Sequence, residues 1–180
     1  APAEIVFQPY DGVVANSPAY TGITLAPVPN SNQVMLVIDK DGGIYANKWT
    51  ESAWSSTYGT QIAASEVCYT SKCFDFAYET ASGDGLFAYR TATNTVKYKT
   101  ITPAGVIGTE GTAITYPTST TRANWVKLAN NPATNQIMLA SLDSASDIYT
   151  RQWNGAAFAG TGGTLLEASA SSATTRAMDL

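Results

Sequence analysis

Carboxylates, hydroxyls, two thiols and a set of aromatic rings are the side chains able to do chemistry in this chain, and histidine is absent. Without an imidazole, a serine or cysteine nucleophile lacks the base that ordinarily takes its proton. No glycine-rich phosphate cradle is present: Ser82-Gly83-Asp84-Gly85 follows an expected strand but opens no helix. A pair of carboxylates could still cleave a glycosidic bond, one as acid and one as base or nucleophile. The candidates are Asp75, Glu79, Asp84, Asp143, Asp147 and Asp179. Most of the 14 acidic residues, however, fall where hairpins turn, and there Asp binds nearby backbone amides. Turn formation is therefore the preferred reading, and no catalytic residue is assigned.

Metal chemistry finds little support. Asp39-Lys40-Asp41-Gly42 resembles the opening of a calcium loop but lacks the length and the later Glu of that motif. Its counterparts, Thr91–Asn94 and Asp143–Ser146, read as hairpin turns, so no metal and no cofactor is expected. Cys68 and Cys73 lie five apart. A zinc site on two thiolates would need carboxylates to complete it, so a local disulfide clipping one loop is the preferred reading. The alternative is a pair of buried free thiols. A disulfide points to an oxidising compartment.

The aromatic residues carry two readings. Trp49 and Trp153 end equivalent segments beside polar residues, and Tyr45 and Tyr149 recur four positions earlier. An aromatic face next to Asn, Asp or Arg is what a sugar site needs: the ring packs on the pyranose and the polar groups read its hydroxyls. Repeated sites of this kind would give multivalent binding. On this reading the candidate ligand-binding residues are Trp49, Tyr45, Arg90, Tyr149, Arg151, Trp153 and Asn154. On the other reading the Trp rings are wedges packed between neighbouring units.

Bulk composition narrows the partners. Charged residues make up only 13% of the 180, against 44% hydrophobic, where about 25% charged is usual. Polarity comes instead from Thr, Ser, Asn and Gly, as in many secreted β proteins. The net charge is -4, with no basic stripe to neutralise phosphates, so nucleic acid is not an expected partner. The longest apolar runs, Val34–Ile38 and Ile137–Ala140, are far shorter than the roughly 20 residues that cross a bilayer. The opening Ala1-Pro2-Ala3-Glu4 suits a mature terminus left by signal cleavage, or equally an excised segment.

What must position all of these residues is a repeat. Trp49, Ile101 and Trp153 are 52 apart, as are Trp54, Val106 and Phe158, and Ile62, Ile114 and Leu166. Phe74, Val126 and Met178 keep the same pitch, as do Phe76, Leu128 and Leu180. Gln33–Leu36 and Gln136–Leu139 match across Asp84–Phe87, with the first copy one residue shorter. Each unit reads as four short strands: in the middle copy about Phe74–Glu79, Gly85–Arg90, Thr95–Ile101 and Thr112–Thr115. Turn formers such as Asp41-Gly42-Gly43 and Asn154-Gly155 separate them. No segment has a convincing helical period.

A four-stranded antiparallel meander repeating at this length is the pattern of a β-propeller blade. The expected fold is all-β, with about three and a half blades in one domain: a partial blade over 1–24 and repeats over 25–75, 76–127 and 128–179. A β-sandwich or a β-solenoid is the alternative. The strand pattern, the segments Ile44–Trp49 and Ile148–Trp153, and Trp153-Asn154-Gly155 resemble the propeller repeats of bacterial lectins and sialidase-like surface proteins, over roughly residues 25–180. The sialidase Asp-box is absent and no arginine triad can be placed, so the resemblance does not imply that activity. It implies a non-enzymatic extracellular or cell-surface module that binds carbohydrate in adhesion. The alternative is a structural subunit of a filament, sheath or virion that shares incomplete blades between chains. A glycan or cell-surface partner is expected, with other copies of the chain as the second candidate, and no membrane insertion. Asp75, Lys127 and Asp179 share one column on the strand taken to be innermost, where they could line a channel or pair with neighbours.

Overall fold

The computed structural model of the chain describes residues 22–40, 42–56, 59–64, 71–160 and 162–170. These residues form twelve strands and no helix. The first sheet holds β1 (Gly22–Pro27), β2 (Val34–Lys40), β3 (Gly43–Trp49) and β4 (Thr60–Ala64). The second holds β5 (Phe74–Tyr78), β6 (Gly85–Arg90), β7 (Thr95–Ile101) and β8 (Gly111–Thr115). The third holds β9 (Ala123–Asn130), β10 (Ile137–Asp143), β11 (Ile148–Trp153) and β12 (Thr164–Glu167). Each sheet is a four-stranded meander in sequence order, with every neighbouring pair antiparallel.

The same backbone bonds recur in each repeat. The first hairpin closes by Val28 N–H to Gln33 O, Glu79 N–H to Asp84 O and Asn131 N–H to Gln136 O, at 2.9, 2.7 and 2.8 Å. Each third strand then folds back on a single bridge: Trp49 with Trp54, Ile101 with Ile107, Trp153 with Phe158. The middle bridge departs from the expected column, which placed Val106 in the position of Trp54 and Phe158. The turn before Ala53 and Ala157 closes over three residues, whereas Thr102 N–H reaches Val106 O over four. That extra residue, next to Gly105 at a φ of 87°, turns Val106 to solvent and puts Ile107 against the core.

Two apolar cores lie between the three sheets. One joins Met35, Val37, Ile44 and Ile62 of the first sheet to Phe74, Phe76, Phe87, Tyr89 and Ile101 of the second. The other joins Leu86, Val96, Ile114 and Tyr116 of the second to Val126, Leu128, Leu139, Trp153 and Phe158 of the third. The second sheet is thus covered on both faces, and every residue of β5 is buried. In β2, by contrast, burial alternates along the strand, because among the described residues only one of its faces has a neighbouring sheet. Glycine at 85 is what lets Phe76 pack, since a Cβ there would stand 2.5 Å from the Phe76 ring.

Candidate functional site

The first strands of the three sheets, β1, β5 and β9, meet around Asp75. Its carboxylate is 2% exposed. Thr24 Oγ1 and Lys72 Nζ donate to Oδ1 at 2.9 and 2.8 Å, and the backbone N–H of Leu128 donates to Oδ2 at 2.9 Å. Lys127 Nζ stands 3.9 Å from Oδ2. Thr24, Asp75 and Lys127 occupy one repeat column, so three copies of a single position converge on one buried carboxylate and tie three sheets together. Sequence reasoning found Asp75 and Lys127 but missed Thr24, which the same repeat arithmetic could have supplied. Asp179 lies outside the described residues. A cleft of about 360 Å³ opens beside this cluster, lined by β1 together with Phe76, Tyr78 and Leu128.

The other carboxylates hold the frame. Glu79 is 2% exposed; its Oε1 accepts the indole N–H of Trp153 at 2.6 Å and its Oε2 accepts the Ser82 hydroxyl at 2.6 Å. Asp143 is buried, and its Oδ1 accepts the backbone N–H groups of Ala145 and Asp147. Burial pushes the Asp143 carboxyl above its usual range. Asp147 accepts the N–H of Ser169, and the Asp84 carbonyl closes the turn from Glu79. Asp39 is also buried, and Asp41 lies outside the described residues. Among the described residues no group of three or more His, Cys, Asp or Glu is placed to hold a metal ion.

The seven proposed sugar-binding residues do not converge. Trp153 is buried, with its ring edge-on to Tyr98 and Phe158 at 5.4 and 5.3 Å. Tyr149 is buried edge-on to Tyr116 at 5.1 Å. Arg151 clamps sheets together: its guanidinium donates to the carbonyls of Ala113, Ala159 and Gly160 and lies 5.5 Å from the Phe158 ring. Burial lowers its pKa. Arg90 Nη1 reaches the Ala123 carbonyl at 3.3 Å. Asn154 is exposed, and its Oδ1 caps the turn at Ala156 and Ala157. Trp49 and Tyr45 stand half-buried on β3 of the first sheet, with the second sheet between them and β11. Trp49 packs edge-on to Trp54 at 5.6 Å. Cys73 is buried and is not a free thiol; Cys68, its partner in the expected bridge, lies outside the described residues.

The repeat columns expose a second candidate. Ile62 and Ala113 are 3% and 0% exposed, but Leu166, at the same bulge of the fourth strand, is 65% exposed. Phe74 and Val126 are 1% and 2% exposed, but Ile23 is 60% exposed. Phe76 and Leu128 are buried at 3% and 5%, while Leu25 is 49% exposed. Met138 is exposed where Met35 and Leu86 are covered. The half-burial of Trp49 and Tyr45 follows the same rule, since among the described residues Trp153 and Tyr149 have a sheet in front of them and the β3 pair does not. No protein-family model and no curated protein matches this chain.

Proposed function

We propose that the chain is a non-enzymatic assembly module: a run of β-propeller-like blades, belonging to an extracellular or cell-surface structure, continued by blades of another chain. One observation carries the reading. Apolar positions that are buried between sheets become exposed at the two outer sheets, although the repeat chemistry there is unchanged. Large apolar patches on a surface mark places where something binds. Propeller rings usually hold about four to eight blades, so the three four-stranded units of the described residues need continuation to close. Support for a scaffold rather than an enzyme comes from the carboxylates: Asp75, Glu79 and Asp143 are spent on joining sheets and shaping turns. A Cys68–Cys73 disulfide would suit the oxidising setting. Thiol titration of the unfolded chain should then give no free thiol before reduction and two after it.

Light scattering and electron microscopy of the purified chain test the assembly reading. Oligomers, rings or filaments are expected, growing with concentration. A monomer at every concentration would sink it.

A second reading, carbohydrate binding in adhesion, draws on the half-buried Trp49–Trp54 pair with Tyr45 and Asn47 close by on the same strand. Saturable quenching of tryptophan fluorescence by a glycan, lost in Trp49→Ala, would favour it.

A further inference from the structure

The two outer faces differ from each other, and each matches an interior face that already has a partner. At the first interior interface the face of β4 and β2, with Ile62 and Met35, meets the face of β5 and β7, with Phe74, Phe76 and Ile101. The second interface repeats this one unit later, with Ala113 and Leu86 meeting Val126, Leu128 and Trp153. The columns then define what is left over. The third sheet ends on the face that carries Leu166 and Met138, and the first sheet begins on the face that carries Ile23, Leu25 and Trp49. One is the donor half of the interior interface and the other is the acceptor half.

From this we infer that two copies of the chain pair head to tail, the Leu166 face of one seated on the Ile23–Leu25 face of the next. The inference rests on the assembly reading above and specifies the faces and the occupant. It follows from continuity: the faces left open belong to the same columns that already fit each other twice within the chain. Because the two faces are unlike, the contact is heterologous, so copies add in one direction and give a ring if the rotation closes and a filament if it does not.

One feature of the interior interfaces is missing at the end. Lys99 Nζ donates to the Ile62 carbonyl across the first interface at 2.8 Å. Arg151, in the same column, donates to the Ala113 carbonyl across the second. The first sheet has Asn47 in this column, and its amide bonds within its own sheet, to the Ser56 carbonyl at 2.6 Å. The contact between chains lacks this cationic clamp, so it is weaker than the interior interfaces and reversible on dilution.

The test uses three single variants of the full chain: Leu166→Asp, Ile23→Asp and, as control, Val106→Asp, which is exposed but lies on neither face. All three positions are more than half exposed, so the fold is retained, and circular dichroism checks this. Sedimentation of the unmodified chain should show association past the dimer. Leu166→Asp and Ile23→Asp should each remain monomeric, and Val106→Asp should assemble normally. Mixing the two face variants in equal amounts should give a dimer that grows no further, because one intact donor face meets one intact acceptor face. Two results would overturn the inference in different ways. If the unmodified chain associates but neither face variant changes that, the faces are wrong and the assembly reading stands. If nothing associates at any concentration, both fail.

Discussion

At the scale of single residues, the bond between Glu79 and Trp153 shows how this chain spends its polar groups. A carboxylate and an indole from different sheets are both nearly sealed from water, and each satisfies the other at 2.6 Å. Removing the acceptor leaves a buried N–H unpaired, which costs about 1–3 kcal/mol. Glu79→Ala should lower the unfolding free energy by about that amount, and Glu79→Gln, which keeps an acceptor oxygen, by less; denaturant titration reads both. The tyrosines give a pH signature. Burial raises the Tyr78 phenol from its ordinary 10.0 to about 12. Tyr89, bonded to Glu110, and Tyr116, bonded to Ser141, are also pushed upward, mainly by burial. A folded pKa above the unfolded one means that the native state holds the proton more tightly. The stability these phenols contribute is therefore complete below about pH 10 and is lost as pH climbs through the folded values. Phenolate absorbance should rise in two stages, exposed tyrosines first and the buried ones together with unfolding. Buried phenols that titrate near pH 10 in a chain still folded would contradict this.

At the scale of the strand and its turns, most of the structure was legible. The middle repeat was expected at Phe74–Glu79, Gly85–Arg90, Thr95–Ile101 and Thr112–Thr115, and the strands begin or end within a residue of those bounds. The alternation of Val, Ile, Tyr and Phe with Thr, Lys and Ser, cut by Gly-containing turns, is enough to specify them. The slip at Val106 was not legible, because a column alignment cannot see that one turn closes over four residues where its counterparts close over three. The roles of Arg151 and Asn154 were hidden for a related reason: a polar residue after an aromatic looks the same whether it faces a ligand or the backbone of the next turn. A strand's burial also depends on its neighbour more than on its own composition, and that gives a contrast to measure. Ile62 and Leu166 occupy the same bulge position on β4 and β12. Ile62→Ala should cost about 2–5 kcal/mol, as large-to-small changes in a packed core do. Leu166→Ala should change the stability of dilute chain by no more than about 0.5 kcal/mol, as exposed substitutions do. Equal costs at the two positions would mean that the β12 face is covered within a single chain.

At the scale of the whole molecule, the three sheets are alike in sequence and unlike in situation. Among the described residues the middle one is packed on both faces, and each outer one on a single face. The 52-residue pitch discloses the units and their order but not which of them is interior, because that depends on what stands beside the last copy. The aromatic column makes the point. Trp49 and Trp153 are the same residue at the same place in the repeat, and among the described residues only the second has a neighbouring sheet to seal it. Local opening is governed by buried apolar contact, so protection should fall from the middle of the chain outward. In dilute solution the amides of β5 and β6 should exchange most slowly, β9 and β10 next, and β1 and β12 fastest. Raising the concentration of the unmodified chain should slow β1 and β12 selectively, because head-to-tail pairing covers those two faces and leaves the interior interfaces as they were. In Leu166→Asp that slowing should vanish from both end strands, since pairing needs both faces. Slowing of β12 alone would point instead to a symmetric contact of like with like, in which the β1 face stays bare.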